Sequence, residues 1–296
     1  MLGLSILSFF LFGPISYAQF LPYDLSEKMF PSVQSNMTEQ EFRDIIRKVQ
    51  TTFAPIVKQH GGNLSVSGDW KSEKLNAGAQ QMMGSWRVVI SGALARRPEL
   101  TPDGFTLILC HELGHHLAGF SFAQPRTPME GIWAANEGQS DFFASHSCAR
   151  TLWREESAKN REFRATVTPY VQERCDSVFG GENEQNLCYR INAGNESVIK
   201  TMAALMKKEA PKFETPNPTK VEKTVDGHPE IQCRLDTAFA GSLCALENDY
   251  LRIPGKDLKG KQFSSEAEWD SVNYSCHQIH RYVLGTRPYC WFRSQL

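Results

Sequence analysis

The chain has 296 residues, enough for one large domain or two modest ones, and its 41% hydrophobic content excludes a disordered or fibrous protein. Thirty-two Lys and Arg against thirty-three Asp and Glu leave a net charge of −1. Beyond a short basic stretch at Lys207, Lys208 and Lys212 there is no run of one sign, which argues against a nucleic-acid partner or a strongly acidic substrate.

The chain opens on MLGLSILSFFLFGPISYAQ. An apolar run from Leu2 to Phe12, then Gly13 and Pro14, then the small residues Ser16 and Ala18 make the pattern of a secretory signal over residues 1–18, too short to span a bilayer. No Lys or Arg precedes Lys28, so the usual cationic start is lacking. The expected localisation is exported, periplasmic or secreted. Eight cysteines, an even number, fit a few disulfides in an oxidising compartment. Local spacing groups Cys175 with Cys188, Cys233 with Cys244 and Cys276 with Cys290, leaving Cys110 and Cys148, although spacing does not fix connectivity.

From Thr38, TEQEFRDIIRKVQTTFAPIVKQHGG carries a capping box in Thr38 and Glu41, with Phe42, Ile45, Ile46, Val49 and Phe53 at helical spacing. This amphipathic helix is expected to kink or end near Pro55 and to stop at Gly61 and Gly62. NLSVSGDW alternates Leu64 and Val66 with polar residues as a half-buried strand does, and the β-branched run Trp86 to Ile90 is a second strand. In LTPDGFTLILCHELGHHLAG, Thr101 is a good N-cap, Pro102 fits the first helical position and Gly119 can end the helix in a left-handed conformation. A further helix reads from about Asn136 to Trp153. Residues 207–227, rich in Lys, Pro and Thr, form an exposed connection.

Within HELGH, His111 and His115 lie at i and i+4 on one helical face, which aims two imidazoles at one point as a metal ion requires. Glu112, one residue on, projects beside that point and suits a base that takes a proton from water held there. A catalytic zinc needs a third protein ligand and an open position. WAANEGQSDFFASHSC offers Glu137 as that ligand, while Asp141 is placed to orient a ligating histidine through its other ring nitrogen. Asp141 or His146 as the ligand are competing readings. His116, rotated off the ligand face, reads as a surface or supporting group.

Three stretches together resemble the gluzincin metallopeptidases of the HtpX-like and prenyl-protein-processing type. NAGAQQMMGSWRVVISGALA from Asn76 places Gly84, Val89, Gly92 and Leu94 where that family has its strand pattern; HELGH, EGQSD at Glu137 to Asp141, and HPEIQCR at His228 to Arg234 follow in the family order. The resemblance implies one zinc ion per chain on His111, His115 and Glu137, with Glu112 as general base and Asp141 in support. It implies that Trp86, Arg87, Val88, Val89 and Ile90 form an edge strand to which an extended substrate adds by main-chain hydrogen bonds. His228 and Arg234 would approach from the far side and stabilise the oxyanion, with pairing of Arg234 to a carboxylate as the competing role. Departures are QMMG in place of the family's Pro-Gly-Gly, the added cysteines, and the lack of the transmembrane helices that many relatives carry.

The expected architecture is α+β, a zincin-type domain over residues 19–255 with its core at 38–235. It holds a small sheet whose edge strand borders the active-site helix, with a mostly helical remainder. Residues 256–296 form a disulfide-pinned extension packed on the same domain. The function implied is a zinc endopeptidase acting on extended or unfolded polypeptides outside the cytoplasm, with no nucleic acid, no membrane span after signal removal and an oligomeric state left open. Alternatives are a catalytically silent zincin-like module that binds peptide, or a metal-dependent hydrolase of a non-peptide bond. Residues from Gln19 to Ser35, or the tail, are candidates to cover the cleft.

Overall fold

The computed structural model describes residues 17–22, 25, 29, 35–127 and 131–296. The predicted signal therefore lies outside the described residues, apart from Tyr17 and Ala18, which begin a strand.

The chain is α+β. Strands β1 (Tyr17–Gln19), β2 (Asn63–Asp69), β3 (Ala77–Met82) and β4 (Ser85–Ser91) form one sheet in the order β1-β3-β4-β2. β4 runs parallel to β2 and antiparallel to β3, and β1 is antiparallel to β3. This corrects the expected edge: β4 is flanked on both sides, so Trp86 to Ile90 have no free ladder to offer. Within β4 the alternating Trp86, Val88 and Ile90 are buried, the pattern of a strand with one covered face. β3, AGAQQM, carries little β-branched or aromatic content, so the β-propensity that marks β4 does not mark it. A hairpin at Met83 and Gly84, both with positive φ, joins β3 to β4.

Helix α1 (Glu39–Gln59) has the expected capping box, with the Glu41 amide donating to Thr38 Oγ1 and the Thr38 amide to Glu41. It runs through Pro55 to Gln59. Its face Phe42, Val49, Phe53 and Val57 is buried, and that packing, against β2 and the next helix, outweighs the one hydrogen bond that proline deletes. Helix α2 (Pro102–Leu117) starts at the Thr101 cap and is buried from Asp103 to its end, with Gly119 left-handed beyond it. Helix α3 (Glu137–Phe143), capped by Asn136, continues through one π turn (Ala144–Cys148) into α4 (Ala149–Trp153). The site helices pack closely: a Cβ at Gly114 of α2 would lie 2.8 Å from Ser140 Cα of α3.

Helices α5 (Pro169–Val178), α6 (Glu182–Met206) and α7 (Ile231–Ser242) complete the main core, with α6 and α7 packed on α2 and α3 respectively. Buried Arg190 in the body of α6 forks onto Asp103 at the start of α2, 2.9 Å to each carboxylate oxygen, and so ties the two packed helices together. The tail holds one short α-helix, α8 (Ser265–Ser271), a 3-10 turn at Gln278–His280 and otherwise irregular chain. Its Trp291 and Phe292 pack with Phe120 and Phe122 just after α2, and its Arg287 donates to Gln139 of α3 and to the Phe120 carbonyl. Among the described residues no helix is long and apolar enough to cross a membrane.

Four disulfides join Cys110–Cys148, Cys175–Cys188, Cys233–Cys290 and Cys244–Cys276. The local grouping holds only for Cys175 and Cys188. Cys233 lies in the first turn of α7 and Cys244 just past its end, so a rise of about 1.5 Å per residue sets them roughly 16 Å apart, far beyond disulfide reach. Each instead reaches into the tail. The bridges fit an oxidising environment.

Cys110–Cys148 ties α2 to the π turn behind α3 and closes a separation of 38 residues, worth about 4 kcal/mol in chain entropy. Replacing both cysteines by alanine is expected to lower stability by about 2–4 kcal/mol, read from the urea midpoint under non-reducing conditions. A midpoint unchanged from the parent would show that the bridge does not tie the folded helices together.

Candidate metal centre

Helical spacing on α2 sets His111 and His115 side by side, their rings 4.9 Å apart and edge-on. The first residue of α3 brings Glu137 opposite them, because the β-bridge Phe122–Ala135 and the Asn136 cap fix where α3 begins. Glu137 Oε2 lies 3.2 Å from His111 Nε2 and Oε1 lies 3.7 Å from His115 Nε2. One ligand atom from each of the three falls within 4.8 Å of the others, so His111, His115 and Glu137 can hold a metal ion.

The other ring nitrogens are committed. His111 Nδ1 bonds Asp141 Oδ1 at 2.8 Å, and His115 Nδ1 donates to the Ala135 carbonyl at 2.7 Å with Ser140 Oγ 3.1 Å away. Those bonds leave both Nε2 atoms facing inward. Both are buried and without a hydrogen-bond partner, as are Glu137 Oε2 and both oxygens of Glu112. Burying such a set uncompensated costs several kcal/mol, and a shared divalent cation removes the cost. The residues present therefore fit a metal.

The carboxylates and imidazoles shift one another. Burial alone would push His111 down, yet Asp141 and Glu137 together outweigh it and lift it to about 9. Burial raises Glu112 to about 8 despite the opposing pull of His111. His115 drops to about 4 because burial is not offset by Glu137. For Glu137, burial would raise the value, but His115, His228 and His111 hold it well below the usual carboxylate range.

Asp141 has no oxygen to spare for a metal. Oδ1 meets His111 Nδ1, and Arg234 forks onto both oxygens at 2.8 Å each. Arg234 is buried, and its third nitrogen donates to the Phe20 carbonyl at 2.8 Å. It thus takes the carboxylate-pairing position and orients His111 through Asp141. His228, part-exposed, has its Nε2 3.4 Å from Glu137 Oε2 and donates to the Gln19 carbonyl at 2.7 Å. His146 stands apart from the cluster: its Nε2 donates to the Leu246 carbonyl at 2.7 Å. His116 is buried between Trp86 and Trp133 and bonds Gln81 and the Arg87 carbonyl, so it ties α2 to the sheet. Sequence reasoning gives no sign of Ser140 or the Ala135 carbonyl at the site, since each arrives by tertiary contact, and it offers Gln19 to Ser35 as a cover for the cleft without singling out Phe20.

The chain matches no protein family, no curated protein and no solved structure. Its functional reading therefore rests on the site alone.

Inductively coupled plasma analysis of purified protein is expected to find about one zinc per chain, lost in His111→Ala. Asp141→Asn, which weakens the grip on His111 without removing a ligand, should lower metal affinity about 10- to 100-fold in chelator competition. An unaltered affinity would sever Asp141 from the site. At His146, burial and then Arg150 depress the folded value to about 3 against 6.5 in the unfolded chain. The unfolded chain then binds more protons between those limits, so stability rises with pH across that window and is lost on acidification. Thermal midpoints from about pH 7 to about pH 4 should therefore fall more steeply in the parent than in His146→Gln.

Proposed function

We propose that this protein is a zinc-dependent endopeptidase of gluzincin type that hydrolyses peptide bonds of extended or unfolded polypeptides outside the cytoplasm. One observation carries the reading: the inward Nε2 atoms of His111 and His115 face Glu137 across a space that also holds a buried, unpartnered Glu112 carboxylate. A module that only binds peptide gains nothing from that carboxylate and bears the cost of burying it.

When bound, a zinc ion supplies Lewis acidity at the scissile carbonyl and acidifies water. The remaining work falls to the chain. Glu112, its proton affinity raised into the neutral range by burial, takes a proton from the attacking water and returns it to the leaving amine. His228 Nε2 already bonds a backbone carbonyl and is the group aimed to hold the developing oxyanion. Arg234 binds the next carbonyl and keeps Asp141, hence His111, in place. Arg234 is thus a positioning residue, while His228 touches the reacting atoms.

Mature protein mixed with unfolded casein should cleave it, and a chelator should stop cleavage. Glu112→Gln should retain zinc yet lose at least about 100-fold in rate. Zinc retained with undiminished cleavage would remove Glu112 from the chemistry, and zinc retained by the parent with no cleavage would favour the peptide-binding module.

A further inference from the structure

The segment from Tyr17 to Leu21 lies across the metal centre as an extended chain. Its partner is β3, in the register Ala18 to Ala79 and Gln19 to Gly78. The polar atoms around the Gln19–Phe20 peptide bond are held by the site and by β3. The Gln19 carbonyl accepts from His228 Nε2 at 2.7 Å. The Phe20 amide donates to the Ala77 carbonyl of β3 at 3.2 Å. The Phe20 carbonyl accepts from Arg234 at 2.8 Å.

The side chain of Phe20 is 2% exposed. Its ring stands edge-on to His111 at 5.1 Å and beneath the Arg234 guanidinium at 4.6 Å. Besides His111 and Arg234, the polar Asp141 and Asn195 and the apolar Leu107, Ile199 and Met202 are among the groups that line its pocket, where a void of only about 20 Å³ remains. A pocket so filled accepts a large apolar side chain; a carboxylate there would lie beside Asp141 and Glu137, whose charges already engage the Arg234 guanidinium, and so is rejected.

We propose that Ala18 to Leu21 sit in the cleft as substrate, with Gln19–Phe20 in the position of the scissile bond, so that the site cuts on the amino side of a large apolar residue and first cuts its own chain there. This rests on the peptidase reading above. Water adds across the bond: the hydroxyl goes to the Gln19 carbonyl carbon and the proton to the Phe20 nitrogen, giving a Gln19 carboxylate and a Phe20 amine. Release of the upstream piece then frees the ladder of β3, the strand to which an extended polypeptide adds. A signal peptidase cutting after Ala18 would leave one residue more, so the two events differ by a single glutamine.

Intact-mass measurement of full-length protein, purified with chelator and then given zinc, is expected to show the chain beginning at Phe20. Glu112→Gln and Phe20→Asp should stay uncut at this bond, and Phe20→Leu should be cut. Should Phe20→Asp fail to fold, the processed parent serves instead: it should cleave the peptide Tyr-Ala-Gln-Phe-Leu-Pro between Gln and Phe at least about tenfold faster than the analogue with Asp for Phe. A readout independent of metal is hydrogen exchange. The Ala79 amide faces β1 by the two-residue alternation that the Phe20–Ala77 bond sets, so its exchange in full-length Glu112→Gln should be slow and should quicken at least about tenfold in Ala18→Pro. Casein cleavage with Gln19–Phe20 intact and Ala79 unprotected would overturn this inference and leave the peptidase reading standing. Bound zinc with neither casein nor Gln19–Phe20 cut would overturn both.

Discussion

Two imidazoles and two carboxylates brought into one buried space, each with an atom that bonds nothing, set the terms for the rest of the structure. Left alone they would split α2 from α3 by desolvation cost. The surroundings oppose that in several ways. Asp141 and the Ala135 carbonyl take the outward nitrogens, the Cys110–Cys148 bridge ties the helices behind the ligands, and a glycine at 114 lets the backbones close. Burial of the ligands is therefore a cost borne by packing elsewhere, as is usual where a site is kept ready for a cation.

The parts of this centre that are legible in the sequence are those fixed by local periodicity. His111 and His115 share a face because a helix has 3.6 residues per turn, and the Thr101 cap with Pro102 gives that helix its start. Glu137 and Asp141 follow for the same reason on α3. What stays hidden is set by contacts between distant segments. β3 lacks the β-branched pattern of a strand and pairs by virtue of its neighbours; Ser140 and Phe20 reach the site only when α3 and the N-terminal segment dock. The cysteines show the same limit: sequence proximity favours Cys233 with Cys244, but the helix between them holds the two ends apart and sends each to the tail.

The position of β4 shows how propensity can mislead about exposure. Trp86 to Ile90 have the strongest strand composition in the chain, and strong β-formers favour the buried middle of a sheet over its edge. The strand that borders α2 and carries a free ladder once β1 is gone is the weaker β3, whose Ala77, Gly78 and Ala79 leave room for a second backbone and its side chains. Small residues on an edge strand beside a buried cation site are compatible with close approach of another chain in a way that a row of valines is not.

Arg234 links these two features. One guanidinium bonds the backbone carbonyl of Phe20 and both oxygens of Asp141, and Asp141 in turn holds the ring of His111. The seating of an extended chain on β3 and the orientation of a metal ligand thus share a single rigid fork, whose planar geometry a lysine could not reproduce. A backbone that enters out of register misses the Arg234 donor and leaves a buried N–H unpaired, so the same residue that steadies the ligand also penalises misplacement of the chain. With the guanidinium fully buried and its charge balanced by Asp141 and Glu137, moving it would expose two carboxylates to each other at the centre. That electrostatic penalty, more than any single hydrogen bond, is what makes the register of the bound segment and the geometry of the ligands one property of the fold.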